Sequence, residues 1–195
     1  MSETLEGKLL IAMPGMLDDA FSNTTVLLCA HSREGAMGLV VNRVRPKLSL
    51  HTLLGQIDEG AKLDSASPDL IESIKRIPIY HGGPVESSRG FVLHSPDYFS
   101  RAATVTVAPA ICLTATLDIL SALASGNGPR NVLIALGYAA WAPGQLEQEI
   151  QANGWLHTDA TPDIVFRTEP KARYGSALAQ LGVNPSHLVT AAGHA

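Results

Sequence analysis

Short apolar runs separated by turn residues dominate the first quarter of the chain. Residues 7–12, 24–30 and 36–41 are each rich in branched or small apolar side chains, a pattern typical of buried strands. The second and third runs are separated by Ser32, Arg33, Glu34 and Gly35, and Gly35 can adopt the positive φ that a tight turn requires. The pattern therefore predicts a β-hairpin at this point.

Further along the chain, some segments have the pattern of strands and others have apolar residues at helical spacing. We expect Ser49 to cap a short helix, and Gly126 and Gly182 to lie where two later helices end. The predicted strands cover residues 89–93, 103–113 and 131–136, and the predicted helices begin near residues 50, 117, 146 and 174. Strands come mostly first and helices later, without regular βαβ alternation. This order favours an α+β fold or an irregular α/β sheet.

Composition narrows the class of protein. The 195 residues are 46% hydrophobic and 16% charged, which indicates one ordered domain spanning residues 1–195. The net charge of −4 disfavours direct binding to nucleic acid or to an anionic membrane.

The acidic N-terminus lacks the pattern of a secretory signal, so we expect a cytoplasmic protein. Cys29 and Cys112 stand alone in apolar runs and are expected to be buried thiols.

Between two apolar runs, residues 79–98 contain a strained turn, two histidines, a Glu and an Arg, and this grouping makes the segment the first candidate for a functional site. Its candidate side chains and turn residues are His81, Gly82, Gly83, Glu86, Arg89 and His94. The triplet at 81–83 is similar to the oxyanion loop of some esterases, but Pro84 removes a backbone donor and the chain has no nucleophile elbow. We therefore favour a tight turn in which glycines let two strands pass closely.

The histidines do not predict a metal site. None of the seven pairs with another at a spacing that places two ring nitrogens on one ion. His81 and His94 could converge across a turn, with Glu86 as a third ligand, but isolated histidines at strand ends usually bind backbone carbonyls. We expect no metal and no other cofactor.

Polar and aromatic residues outside this segment complete the candidates. Asp18 adjoins Asp19, and because adjacent carboxylates diverge, a shared-proton pair is not expected. Asn42 and Arg43 could bind a carboxylate or phosphate ligand, or Arg43 could form a salt bridge to Glu86 or Asp97. Trp141, four residues before Gln145, could line a pocket or close the core.

Four motif segments, taken together, resemble one known family. They cover residues 7–18, 34–43, 81–95 and 135–147, and their most specific parts are Gly-Lys-Leu-Leu-Ile-Ala-Met-Pro-Gly-Met-Leu-Asp, His-Gly-Gly-Pro-Val-Glu and Leu-Gly-Tyr-Ala-Ala-Trp-Ala-Pro-Gly-Gln. On these segments the chain is identified as a member of the YqgE/AlgH family of bacterial proteins.

The resemblance implies a single compact α+β domain of coiled, partly split β-sheets with flanking helices. It implies no defined activity, and the family's regulatory label brings no DNA-binding residues to transfer. The chain departs from the family pattern at Tyr174, where many relatives have Trp. It departs again at Thr114, Thr116 and Leu117, where a polar Thr-Ser-Arg run is usual.

Three functional hypotheses follow. The first is an intracellular, non-enzymatic binding or regulatory protein that recognises a partner protein or small ligand. The second is a hydrolase-like enzyme that uses His81, Glu86 and Arg89, and the third is a DNA-binding transcriptional regulator, which the acidic charge disfavours. The first hypothesis predicts one surface patch that contains Asp18, Asn42, Arg43, His81, Gly82, Gly83, Glu86, Arg89, His94, Trp141 and Gln145.

Overall fold

The β-strands form a curled, mainly antiparallel sheet. The structure is a computed structural model and describes residues 4–14, 16, 20–57 and 66–183. The strands are β1 (Lys8–Ala12), β2 (Thr25–Ser32), β3 (Gly35–Val40), β4 (Val44–Ser49), β5 (Pro78–His81), β6 (Val85–His94), β7 (Thr104–Ala108), β8 (Ile111–Thr114), β9 (Val132–Trp141) and β10 (Trp155–Asp159). Their order is β10-β1-β2-β3-β9-β6-β8-β7, and β5 joins β9 and β4 outside this path.

Short helices cover the sheet. The α-helices are α1 (Leu50–Leu54), α2 (Pro68–Arg76), α3 (Asp118–Ala124), α4 (Gln145–Gln151) and α5 (Arg173–Gln180), and a π-helix (Asp163–Arg167) and a 3-10 helix (Pro170–Ala172) precede α5. One apolar cluster lies between strands β5, β6 and β9 and helices α1 to α3. A second packs the π-helix and α5 against the central strands, and a third joins α4 to β1, β2 and β10. The expected α+β fold is confirmed.

Strand β9 changes partner halfway along one edge, and this change splits the sheet. Ile79 to His81 of β5 pair in parallel with Ile134 to Leu136, whereas β3 pairs antiparallel with residues 139–141. Gly82 bridges the two regions, because its N–H donates to the Leu136 carbonyl and its own carbonyl accepts from Val40 N–H. The opposite edge of β9 pairs with β6.

Glycines at this point allow the backbones to touch. A Cβ added to Gly82 would lie 2.2 Å from the Gly137 carbonyl oxygen, and one added to Gly83 would lie 2.1 Å from the Tyr138 carbonyl carbon. Gly83 also has a φ of +155°. The structure therefore has the predicted close passage of two strands at residues 81–83. We call the place where this triplet runs against the backbone of β9 the glycine crossing.

Several local predictions are confirmed. Strands β2 and β3 form the expected hairpin, with Ser32 opposite Gly35, and the Ser49 hydroxyl accepts from Thr52 N–H at the start of α1. Helix α5 ends before Gly182, which has a φ of +70°. Cys29 and Cys112 are both buried, and burial raises the pKa of Cys29 to about 12, so its thiol stays protonated at neutral pH.

Other elements differ from the predictions. The run at 103–113 is not one strand, because a turn at Pro109 and Ala110 divides it into β7 and β8. Strand β9 continues through Trp141, five residues beyond the predicted end, since Gly137 with its φ of +80° permits an irregular strand. Sequence periodicity did not predict β4, β5, β10 or α2, whose short or charged segments give no clear alternation. Among the described residues, every helix is too short or too polar to span a bilayer.

The glycine crossing gives the first prediction. Replacing Gly83 by Ala should lower the free energy of unfolding by at least about 3 kcal/mol, because the new methyl group meets backbone atoms that cannot move aside. Gly175→Ala is the matched control, since a Cβ there meets nothing within 4 Å and Ala favours the helix by about 0.5–1 kcal/mol. Urea unfolding followed by circular dichroism measures both changes. Equal effects of the two substitutions would contradict the proposed crossing.

Candidate functional site

Asn42 and Arg43 hold a neighbouring loop. The Asn42 side-chain oxygen accepts from Thr25 N–H at 2.9 Å, and its amide donates to the Asn23 carbonyl at 2.9 Å. The Arg43 guanidinium donates to the carbonyls of Ala20 and Ser22, each at 2.7 Å. Both side chains therefore bind backbone groups of residues 20–25, and these bonds give them a structural role.

The predicted carboxylate partners of Arg43 pair with other arginines. Glu86 accepts from Arg89 at 3.0 Å, and Asp97 lies 3.8 Å from Arg130. The Glu86 and Arg89 side chains are 52% and 57% exposed, and the Arg89 guanidinium also lies 5.3 Å from the centre of the Phe91 ring. Glu86 and Arg89 form a surface ion pair, and pairs of this kind contribute little to the free energy of folding.

His94 is a core residue. Its side chain is fully buried, and Nδ1 donates to the Ser95 carbonyl at 2.9 Å. A carbonyl can only accept, so Nδ1 carries a proton, and in the neutral ring Nε2 accepts the Thr114 hydroxyl at 2.9 Å. Thr104 continues this buried chain, 2.8 Å from Thr114. Burial lowers the pKa of His94, so the imidazole is neutral and structurally satisfied.

Trp141 and Gln145 belong to a second structural cluster, centred on Glu149. One Glu149 oxygen accepts from Trp141 at 2.9 Å and from Trp155 at 2.8 Å, and the other accepts from Gln145 at 2.8 Å. The two indole rings are 5.9 Å apart in an edge-to-face arrangement, and Phe21 contacts both. Trp141 is only 5% exposed, so it closes the core.

The predicted surface patch is therefore not assembled. His94 pairs with Val132 at one end of β9 and Trp141 occupies the other end, so the nine residue steps from Val132 to Trp141 separate the two side chains by up to about 30 Å. Both are buried, and Gly82 and Gly83 are enclosed by β9. His81 is half-buried at the end of β5, and Glu86 and Arg89 are exposed. Asp18 lies outside the described residues.

A different concave site lies beside Asn42. This Val44 groove is lined by Asn42, Val44, Glu169, Pro170 and Lys171 and has a volume of about 570 Å³. Val44 is 40% exposed, and Glu169 and Lys171 are exposed on the opposite wall. Within the described part of the chain, neither charged side chain is hydrogen-bonded. The groove thus offers apolar surface together with one carboxylate and one ammonium group.

A buried arginine holds the two walls of the groove together. Arg173 is 3% exposed, and its guanidinium donates to the carbonyls of Thr168 and Val41, which directly precede Glu169 and Asn42. It also lies 5.1 Å from the centre of the Tyr80 ring. Burial lowers the pKa of Arg173, and Tyr80 and Glu169 oppose that shift, so the group remains charged.

Sequence reasoning named Asn42 but missed the other groove residues and Arg173. One signal was present: Arg173 lies four residues before Ala177, which is buried, so the arginine occupies the core-facing side of a predicted amphipathic helix. Glu169 and Lys171 gave no comparable signal. No group of three or more possible metal ligands occurs among the residues described above.

The fold defines a class of single-domain α+β proteins with a curled, split sheet, and comparisons identify the family. The chain belongs to the AlgH-like family, because the family model described as DUF179, AlgH-like, matches residues 9–186. This confirms the resemblance inferred from the four motif segments.

Individual relatives extend over nearly the whole chain. A UPF0301 protein of Methylobacterium sp. (strain 4-46) is 51% identical over 191 residues, covering 98% of this chain and 90% of the relative. A UPF0301 protein of Rhodopseudomonas palustris (strain HaA2) is 52% identical over 192 residues, covering 98% of this chain and 87% of the relative.

Solved structures share the fold. The solution structure of the AlgH protein from Pseudomonas aeruginosa matches with a TM-score of 0.75 and 42% identity, covering 100% of this chain and 98% of that one. The crystal structure of protein DIP2367 from Corynebacterium diphtheriae matches with a TM-score of 0.69 at 21% identity, covering 96% and 91%. The second likeness concerns the fold alone.

Buried, neutral His94 predicts an acid-dependent loss of stability. Below the ordinary histidine pKa of about 6.5, the unfolded chain binds a proton that the folded state, with its lowered pKa, does not. Stability should therefore fall as the pH drops from about 7 towards the folded-state pKa, by up to about 1.4 kcal/mol per pH unit from this residue. His94→Gln should flatten the slope in urea unfolding between pH 7 and pH 5.

The control for this prediction is His157→Gln, which changes an exposed imidazole on β10 and retains His94. It should keep the wild-type slope. An unchanged slope in His94→Gln would show that another group causes the acid sensitivity.

The shared carboxylate of Glu149 predicts a large effect from one substitution. Glu149→Leu removes the acceptor of both indole N–H groups, and unsatisfied donors of this kind cost about 1–3 kcal/mol each when buried. We expect a loss of about 2–4 kcal/mol in the free energy of unfolding, measured by urea titration. Gln148→Leu, on the exposed side of α4, should change it by less than about 0.5 kcal/mol. Similar losses in the two variants would refute the role of Glu149.

Proposed function

We propose that the protein is an intracellular, non-enzymatic binding protein that takes a small molecule or a short segment of a partner protein in the Val44 groove. One observation supports this most directly. The groove combines exposed apolar surface with a carboxylate and an ammonium that make no hydrogen bond among the described residues, in a volume of about 570 Å³, and ligand pockets commonly measure about 300–1,000 Å³.

The lining suggests the chemistry of the ligand. An apolar group would cover Val44 and Pro170, and a cation and an anion on either side would meet Glu169 and Lys171. The apolar contact supplies most of the affinity, while the two charges fix the orientation. A protein segment such as Lys-Val-Glu has these three features in sequence.

The rigid frame behind the groove also favours binding. Arg173 ties the carbonyls of Val41 and Thr168 to one guanidinium, so the two walls are held in place before a ligand arrives. A site that is preorganised in this way loses little conformational entropy on binding.

The alternative functions have less support. A hydrolase would need His81, Glu86 and Arg89 to converge around a substrate, but Glu86 and Arg89 form an exposed ion pair with each other. A DNA-binding regulator would need a positive surface, whereas the net charge is −4. We propose that any regulatory effect acts through a protein partner, and we expect no retardation of duplex DNA in a low-salt gel shift.

The groove proposal predicts where a designed peptide binds. Titration of the acetylated, amidated tripeptide Lys-Val-Glu into ¹⁵N-labelled protein should shift the amide signals of Val44, Glu169 and Lys171. Val44→Asp should weaken this binding about tenfold, because it replaces the apolar contact by a charge. The peptide Glu-Val-Glu should also bind less well, since it places an anion beside Glu169.

Leu117→Asp serves as the control, because Leu117 is a 62% exposed apolar residue outside the groove. It should leave the affinity for Lys-Val-Glu unchanged. Signals that shift away from the groove, or equal weakening by Val44→Asp and Leu117→Asp, would contradict the proposed site.

A further inference from the structure

The edges of the sheet differ in their protection against pairing with another strand. An edge strand presents backbone donors and acceptors that can extend the sheet, and proteins usually protect such edges with charges, proline or covering groups. Strand β4 carries Arg45, Pro46 and Lys47. At the β10 edge, the Asp159 side chain forms an ion pair with Lys8, and the Asp159 carbonyl accepts from the Gln180 side chain. These groups protect the β10 edge.

Strand β7 is covered at one end, where Gly7 lies against Val107 and Ala108, but among the described residues none of these protections covers Val105 and Thr106. It has the sequence Thr-Val-Thr-Val-Ala, with no charge and no proline, and it ends the strand order opposite β10. Val105 is 57% exposed, and Thr106 is exposed as well. Among the described residues, β8 is the one strand that pairs with β7.

The charges at the two ends of β7 are opposite. Arg101 lies three residues before the strand and is exposed. Glu6 lies at the other end, because a Cβ on the adjacent Gly7 would be 2.7 Å from the Val107 carbonyl oxygen and 3.3 Å from Ala108 Cβ. Within the described ranges, neither Arg101 nor Glu6 forms an ion pair through its side chain.

We propose that β7 pairs antiparallel with β7 of a second copy of this chain, around a two-fold axis, and so extends the sheet across a homodimer. The two-fold axis places the start of one β7 beside the end of the other, so Arg101 faces the partner's Glu6 twice. The neutral strand centre brings no like charges together. This charge arrangement favours a second copy over an unrelated peptide as the occupant.

Charge reversal tests the proposal. Sedimentation velocity of the full chain from 10 μM to 1 mM should detect a concentration-dependent dimer in low salt. Arg101→Glu and Glu6→Arg should each weaken self-association about tenfold, because two attractive pairs become repulsive. An equimolar mixture of the two variants should form a heterodimer about as tight as the wild type, since opposite charges face each other again.

The strand itself is tested by Val105→Lys, which places a charge on the proposed contact and should abolish the dimer. Leu181→Lys, at a 38% exposed position outside β7, should dimerise like the wild type, and circular dichroism verifies that both variants are folded. A wild-type chain that is monomeric at 1 mM would overturn the proposal. So would a dimer that is unaffected by these charge reversals and by Val105→Lys.

Discussion

The turn at residues 81–83 passes so close to strand β9 that this contact determines how the sheet is divided. Because Gly82 and Gly83 have no side chains, the backbone reaches β9 at Gly137. There β9 changes its partner from β5 to β3. This exchange splits the sheet: one apolar cluster lies on each half, and a third contacts strands of both halves. A residue with a Cβ at the crossing would force the two backbones apart, and the split sheet would lose its central strand contacts.

The same frame explains why the polar residues that stand out in the sequence are mostly structural. His94, Trp141 and the Asn42 side chain each bind groups inside the molecule, which satisfies polar atoms that an irregular sheet leaves near its core. The Val44 groove is different, because within the described part of the chain the side chains of Glu169 and Lys171 make no hydrogen bond, and Glu169 acts on Arg173 through its charge. Arg173 joins the two regions: it is part of the packed interior, and it also fixes the distance between the walls of the groove.

Prediction from the sequence succeeded where the structure depends on neighbouring residues. The β2–β3 hairpin, the Ser49 cap and the end of α5 at Gly182 follow from turn and cap chemistry within a few positions. It did less well for β5 and β10, which are short and depend on their partner strands for stability. The candidate site was predicted in the wrong place for a related reason. Residue type indicated that Trp141 and His94 were unusual, but it could not indicate that groups inside the protein already satisfy the hydrogen bonds of their polar atoms.

Local periodicity, turn residues and motif order predicted the hairpin, the helix ends, an α+β or irregular α/β class and the resemblance to the AlgH-like family, because these features depend on short stretches of the chain. The binding of Arg173 to the carbonyl of Val41, 132 positions away, and the donation of both tryptophans to Glu149 follow from the tertiary structure alone. Local backbone preferences select strands and helices. The partners of a side chain depend on sheet register and loop closure, which bring distant parts of the chain together only when the whole domain is folded.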